Sequence, residues 1–363
     1  INQDNTLNEY EKYYQYRVSL RPAAMEVGNN FITDKIVAHV ELENGKTEDV
    51  TWYQFKIPIR EYEKKVGSIR DFKSVRFMRM FMHGFTEPTF LRFGTLELIR
   101  GEWRSYTKPL YDPTNPPSTV GTMNVSSVSI EENNKKTPVN YVLPPGVTRE
   151  TDPSQPQLTQ ENEQSMVVRV YDLAPGDARA VYKNISLDMR QYRRLQMFTH
   201  AEHMLDDMGE LNDYELSVFI RLGSDYQNNY YEYEIPLKLT PEGIYSSSET
   251  DAKIVWPESN MFDFPLELLT NIKNNRNAQK NQGGSVSYTK AYSEFDPDKP
   301  KNKVTIVGNP SLGDVQTIMI GVRNQGREVK TGEVWLDELR LTDYNEDGGW
   351  AVMGNASIGL SDI

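Results

Sequence analysis

The sequence predicts a mainly β protein built from two jelly-roll-like antiparallel β-sandwich lobes. Three observations predict it: strand segments that alternate with period two, an aromatic and β-branched composition, and a proline-rich stretch that divides the chain. Within Tyr214–Leu222 the residues Leu216, Val218, Ile220 and Leu222 share one face, with Glu215, Ser217 and Arg221 opposite. Tyr231, Tyr233, Ile235 and Leu237 alternate in the same way with Glu232 and Glu234. Tyr53, Phe55, Ile57 and Ile59 oppose Gln54, Lys56 and Arg60. Such a pattern fits strands with one face packed and the other solvated. Helical spacing occurs at Leu266, Leu269 and Ile272, which predicts a helix from Pro265 to about Lys280.

Prolines at 109, 113, 116, 117, 138, 144, 145, 153 and 156 fill the middle of the chain, and proline removes ladder donors and fixes φ. The expected organisation is therefore a first lobe at 1–106, a connecting segment at 107–164, a second lobe at 165–345 and a barrel-type strand beginning in 346–363. Tyr53-Gln-Phe-Lys-Ile-Pro-Ile59 parallels Tyr231-Glu-Tyr-Glu-Ile-Pro-Leu237. Val75–Met82 followed by Leu96-Glu97-Leu98 parallels Val315–Val322 followed by Asp337-Glu338-Leu339. A further match breaks that order: Asp71…Arg76…Met80-Phe81…His83 repeats as Asp188…Arg193…Met197-Phe198…His200. The ordered match follows the chain, and the other reads as two strands with similar jobs. Residues 165–210 have no counterpart in the first lobe, so that lobe is expected to be incomplete at its N-terminus and the chain to be part of a longer protein.

Composition narrows function mainly by exclusion. The 363 residues carry 40 Lys+Arg against 52 Asp+Glu, a net charge of −12, which speaks against a nucleic-acid partner. No cysteine is present, so disulfides, a thiol nucleophile and thiolate metal sites are all excluded. No phosphate loop, dinucleotide fingerprint or nucleophile elbow appears, and no cofactor is expected.

Four local clusters carry residue types that could do chemistry. His200 and His203, near Asp206 and Asp207, have ligand-type side chains, but residues three apart on a strand face opposite ways; a polar edge loop is the plainer reading. Asp343, Asn345 and Asp347 lead into Gly348 like the first half of a calcium loop, while Gly354 stands where the closing acid is needed. They are calcium candidates, set against an ordinary Asp/Asn/Gly turn. Asp337 and Glu338 are neighbours on a strand and should face opposite sides, which rules out an acid–base pair. Tyr226, Tyr230, Tyr231 and Tyr233 offer a sugar-stacking platform, although core packing accounts for Tyr231 and Tyr233. No catalytic residue is assigned, and the chain is not expected to be an enzyme.

Several motifs, in order, resemble one family. They include Tyr14-Gln-Tyr-Arg-Val-Ser-Leu-Arg-Pro22, Trp52-Tyr-Gln-Phe-Lys-Ile-Pro-Ile59, Arg100-Gly-Glu-Trp-Arg104 and Pro138-Val-Asn-Tyr-Val-Leu-Pro-Pro-Gly146. Arg221-Leu-Gly-Ser-Asp225 and Glu333-Val-Trp-Leu-Asp-Glu-Leu-Arg-Leu341 continue the series. Together they resemble the SprA/Sov family, the outer-membrane translocon of the type 9 secretion system. The resemblance implies lobes inserted between strands of a very large outer-membrane β-barrel, exposed at the cell surface or barrel mouth. It also implies export of folded clients, a PorV-type shuttle barrel and a periplasmic plug as partners, gliding motility in some members, and no catalytic residues. On this reading Trp350, Val352, Ile358 and their alternate neighbours begin a lipid-facing strand. The rival reading is a secreted carbohydrate-binding or adhesion module.

Overall fold

The computed structural model describes residues 12–27, 29–41, 45–69, 72, 77–96, 103–111, 116–117, 121–149, 162–204 and 210–345. It divides into two compact units, Ile1–Gly101 and Glu102–Ile363. Strands dominate, and every ladder between named strands is antiparallel.

In the first unit β1 (Tyr13–Gln15), β2 (Ile32–Glu41), β3 (Thr47–Phe55) and β4 (Lys64–Val66) form two ribbons, β1–β4 and β2–β3. The expected first sandwich is not present among the described residues. A sandwich needs a second apolar layer, and here Ile57 and Ile59 lie beyond the end of β3, exposed rather than packed. Two-stranded ribbons bury little and gain stability only from whatever covers them.

The second unit contains β5 (Arg104–Ser105), β6 (Thr122–Ser129), β7 (Gln164–Leu173), β8 (Ala178–Leu187) and β9 (Tyr192–Glu202). It continues through β10 (Leu216–Gly223), β11 (Tyr230–Pro236), α1 (Glu249–Val255), β12 (Phe262–Pro265), α2 (Glu267–Asn281), β13 (Tyr292–Phe295), β14 (Lys303–Val307), β15 (Val315–Asn324) and β16 (Lys330–Tyr344). One sheet runs β13-β14-β11-β10-β15-β8-β5 and the other β12-β9-β16-β7-β6. Their inner faces share one core, in which Val168 and Val334 from the smaller sheet meet Val218, Ile220 and Tyr233 from the larger. The α2 helix forms where its spacing predicts, with Leu269 and Ile272 buried on that core. The short α1 helix starts at Ser248, whose hydroxyl accepts from the Asp251 amide. That cap went unread in the sequence although Ser-x-x-Asp is its usual signal.

Two further expectations are corrected. The segment 107–164 is not merely a connection: β6 joins the smaller sheet, and Val139, Tyr141 and Val142 are fully buried. Proline flanks this strand instead of interrupting it, since Thr122–Ser129 contains none. The strands β10 and β11 are also not half-solvated, because their second faces are buried too. Phe219 fills that outer face at a place where Gly321 is required; a Cβ there would stand 2.3 Å from the Phe219 ring. Around it Tyr106, Leu110, Tyr182 and Tyr226 form a lid of their own. The predicted barrel strand in 346–363, with Trp350, Val352 and Ile358, lies outside the described residues. Among the described residues no helix is long and apolar enough to cross a membrane, which says nothing of strands.

Candidate functional site

The most elaborate polar arrangement lies on the outer face of the smaller sheet. Alternation places Phe198, His200 and Glu202 of β9 on that face, beside Glu333, Trp335 and Asp337 of β16 and Ser165, Val167 and Arg169 of β7. A strap formed by residues 130–147, together with the end of α1, covers it. Val139, Tyr141, Val142, Val255 and Trp256 supply the apolar contacts. The Trp256 indole N–H donates to the Val142 carbonyl at 2.9 Å and so ties helix to strap.

Charges lie under this cover in a closed arrangement. Lys136 reaches in from the strap to Glu202 and lies 3.2 Å from Glu333. On its other side Glu333 pairs with Arg169, and it accepts the Trp335 indole N–H at 2.6 Å. Burial alone would raise the Glu333 pKa, but Lys136 and Arg169 outweigh it and hold the carboxyl well below its usual range. Burial likewise works against the Lys136 ammonium, and Glu333 and Glu202 overcome it, so its pKa is raised. His200 stacks on Trp335 at 3.8 Å, with Nδ1 2.8 Å from the Val255 carbonyl and 3.0 Å from the Thr240 hydroxyl.

A second contact secures the strap at Tyr141. The Ser165 hydroxyl donates to Asp337 Oδ2 at 2.8 Å, and Tyr141 donates to the same oxygen at 3.3 Å. Burial pushes the Asp337 carboxyl up to about 6, against the opposing Ser165 hydrogen bond. Burial also raises the Tyr141 hydroxyl. The serine here faces a carboxylate under a fully buried tyrosine, so the group of three fastens a loop and has no open side for a substrate.

A comparable network stiffens the outer face of the larger sheet. Glu232 pairs with Arg221 and Arg323, Arg323 also pairs with Glu234, and both guanidinium groups lie over the Phe219 ring. Burial opposes ionisation of Glu232, and the two arginines prevail, keeping it ionised far below its ordinary pKa.

The residues singled out from sequence are dispersed. His200 is fully buried and His203 lies past the end of β9 with Nε2 2.7 Å from Glu242; Asp206 and Asp207 lie outside the described residues. Asp343 is exposed, the Asn345 side-chain oxygen accepts from Arg193 at 3.0 Å, and Asp347 lies outside the described residues. Among the described residues no group of three or more His, Asp or Glu side chains is arranged to hold a metal ion. Asp337 is half-buried and held by Ser165 and Tyr141, whereas Glu338 sits at a bulge with φ +53°. The four tyrosines separate: Tyr231 and Tyr233 enter the core, Tyr230 lies under Arg221, and Tyr226 joins Tyr106 and Tyr182. Two surface hollows, of about 420 and 190 Å³, are lined by Asn184, Ser186 and Thr317 and by Leu268, Ile272 and Phe295 respectively, without a convergent titratable set.

Residues 1–363 match the family model SprA_N, described as a motility related/secretion protein. No curated protein matches the chain.

Proposed function

Since the chain belongs to the SprA/Sov family of motility related/secretion proteins, we propose that it is a non-catalytic part of the type 9 outer-membrane translocon that shapes or caps the pore through which folded clients leave. The observation that carries this reading is the family match, which spans the entire chain. The sandwich of the second unit is a jelly-roll insertion between strands of the large barrel, exposed at the cell surface or the barrel mouth. The partners are a PorV-type shuttle barrel, a periplasmic plug and the clients themselves. In some members the same machine serves gliding.

The physical character of the second unit supports a scaffolding role. Its charged side chains are spent on one another beneath a strap and a lid, and a frame of this kind resists deformation when a folded cargo passes. The adhesion reading loses its main support with Tyr231 and Tyr233 in the core.

Photo-crosslinking in the full-length protein tests the proposal. Crosslinkers replace the exposed residues Ile244, Phe295 and Val329, and a client is stalled in transit by a bulky fold fused beside its C-terminal signal. Crosslinks to the stalled client from at least one position are expected. Equal labelling with a client lacking the signal would count against a place beside the pore.

A further inference from the structure

Residues 77–96 of the first unit form no strand, yet ten large apolar side chains there are exposed, with Phe81 at 68%, Leu96 at 63% and Phe90 at 96%. A run this apolar has a partner in most folded proteins. The internal repeats identify one. The match of Asp71…His83 to Asp188…His200 makes Phe81 the counterpart of Phe198 and His83 that of His200. The match of Leu96-Glu97-Leu98 to Asp337-Glu338-Leu339 makes Leu96 the counterpart of Asp337 and Gly94 that of Trp335.

In the second unit these two targets are ladder neighbours. Phe198 lies opposite Asp337, Thr199 opposite Leu336, His200 opposite Trp335 and Ala201 opposite Val334. Carried across, the register sets Phe81 opposite Leu96, Met82 opposite Thr95, His83 opposite Gly94 and Gly84 opposite Phe93. With Asp71…His83 taken in place of the Val75–Met82 match to β15, this match and that of Leu96-Glu97-Leu98 together describe an antiparallel hairpin whose turn falls on Pro88-Thr89. Unrelated offsets would not bring the segments into register with a short turn between them.

A further contact agrees with this pairing. Trp335 stacks on His200 at 3.8 Å in the second unit. Its counterpart is Gly94, and the Trp52 ring lies 3.8 Å from the point where a Cβ on Gly94 would stand. Trp52 therefore stands beside Gly94, at the place where the second unit carries an indole on β16.

We infer that residues 77–96 are a hairpin held open, the first unit's version of the β9–β16 pair, poised to close with Phe81 opposite Leu96. Closing brings Met78, Met80 and Met82 onto one face, as Leu195 and Met197 are in the second unit, and Phe81 and His83 onto the other. The inference stands apart from the transport reading, since it rests only on the chain's internal repeat and ladder register.

The absence of cysteine makes disulfide trapping a clean test. Phe81→Cys with Leu96→Cys should cross-link under mild oxidation as fully as Val37→Cys with Thr51→Cys, which are ladder partners in β2–β3. The off-register pair Phe81→Cys with Phe93→Cys should give about fivefold less, because bridging needs Cα atoms within about 7 Å. Met82→Cys with Thr95→Cys repeats the test at a second rung. Equal yields from the in-register and off-register pairs, or a failure of both in-register pairs while the β2–β3 pair cross-links, would overturn the inference.

Discussion

Glu333→Gln should destabilise the second unit by about 3–5 kcal/mol, the usual cost of breaking a buried ion pair by removing one partner. Glu333 is 3% exposed and lies between Arg169 and Lys136. The amide keeps the shape but not the charge, so two buried cations face one carboxylate fewer. Urea unfolding at pH 7 measures the effect, and Glu249→Gln, from an exposed helix pair with Lys253, should leave the midpoint unchanged. The pH profile adds a signature. The Glu333 pKa is depressed in the folded state, so its stabilisation is present above the ordinary value of 4.5 and is lost as pH falls below it. Asp337 is raised to about 6 from 3.8, so its contribution runs the other way, and stability rises as pH drops from about 6 toward 4. Glu333→Gln should lessen the loss of stability below pH 4.5, where Glu232 still contributes, and should leave the Asp337 window unchanged.

Glu232→Gln should cost a similar amount, about 3–5 kcal/mol, for the same reason on the other sheet. Glu232 is buried with Arg221 and Arg323, and an amide leaves both guanidinium groups over Phe219 without that charge. Replacing Arg221 and Glu232 together, by Met and Leu, should recover much of the loss, because Arg323 retains Glu234. A double variant no more stable than Glu232→Gln would show that the pair does not act as a unit.

These charges explain how far the sequence could be read. Period-two alternation located β10 and β11 and the core residues Leu216, Val218, Ile220, Tyr231 and Tyr233 correctly, since a core face is apolar whatever covers the other side. It misread Arg221, Glu232 and Glu234 as solvated, because a charge on a strand looks alike in water and in a buried pair. Arg221 and Glu232 pair across one hairpin, but the further cation that both Glu232 and Glu234 need comes from a distant strand: Arg323 is 91 residues from Glu232. The strap was hidden for a related reason. Its prolines signal extended chain, which describes residues 130–147 locally, but nothing local shows that extended chain will pack Tyr141 against Trp335. The His200–His203 motif drew attention for its ligand chemistry, while the structural partner of His200 proved to be Trp335. In the first unit the same alternation overreached: Ile57 and Ile59 continue the pattern of β3 without any layer to receive them.

The central claim is that this chain is a structural part of an export pore, and one measurement tests it most directly. In cells making the full-length protein, residues 103–345 are replaced by a flexible linker, and export of a folded reporter bearing the C-terminal secretion signal is followed. The account predicts that the shortened protein still reaches the envelope while the reporter accumulates inside the cell. Export of the reporter at the normal rate through the shortened protein would contradict it.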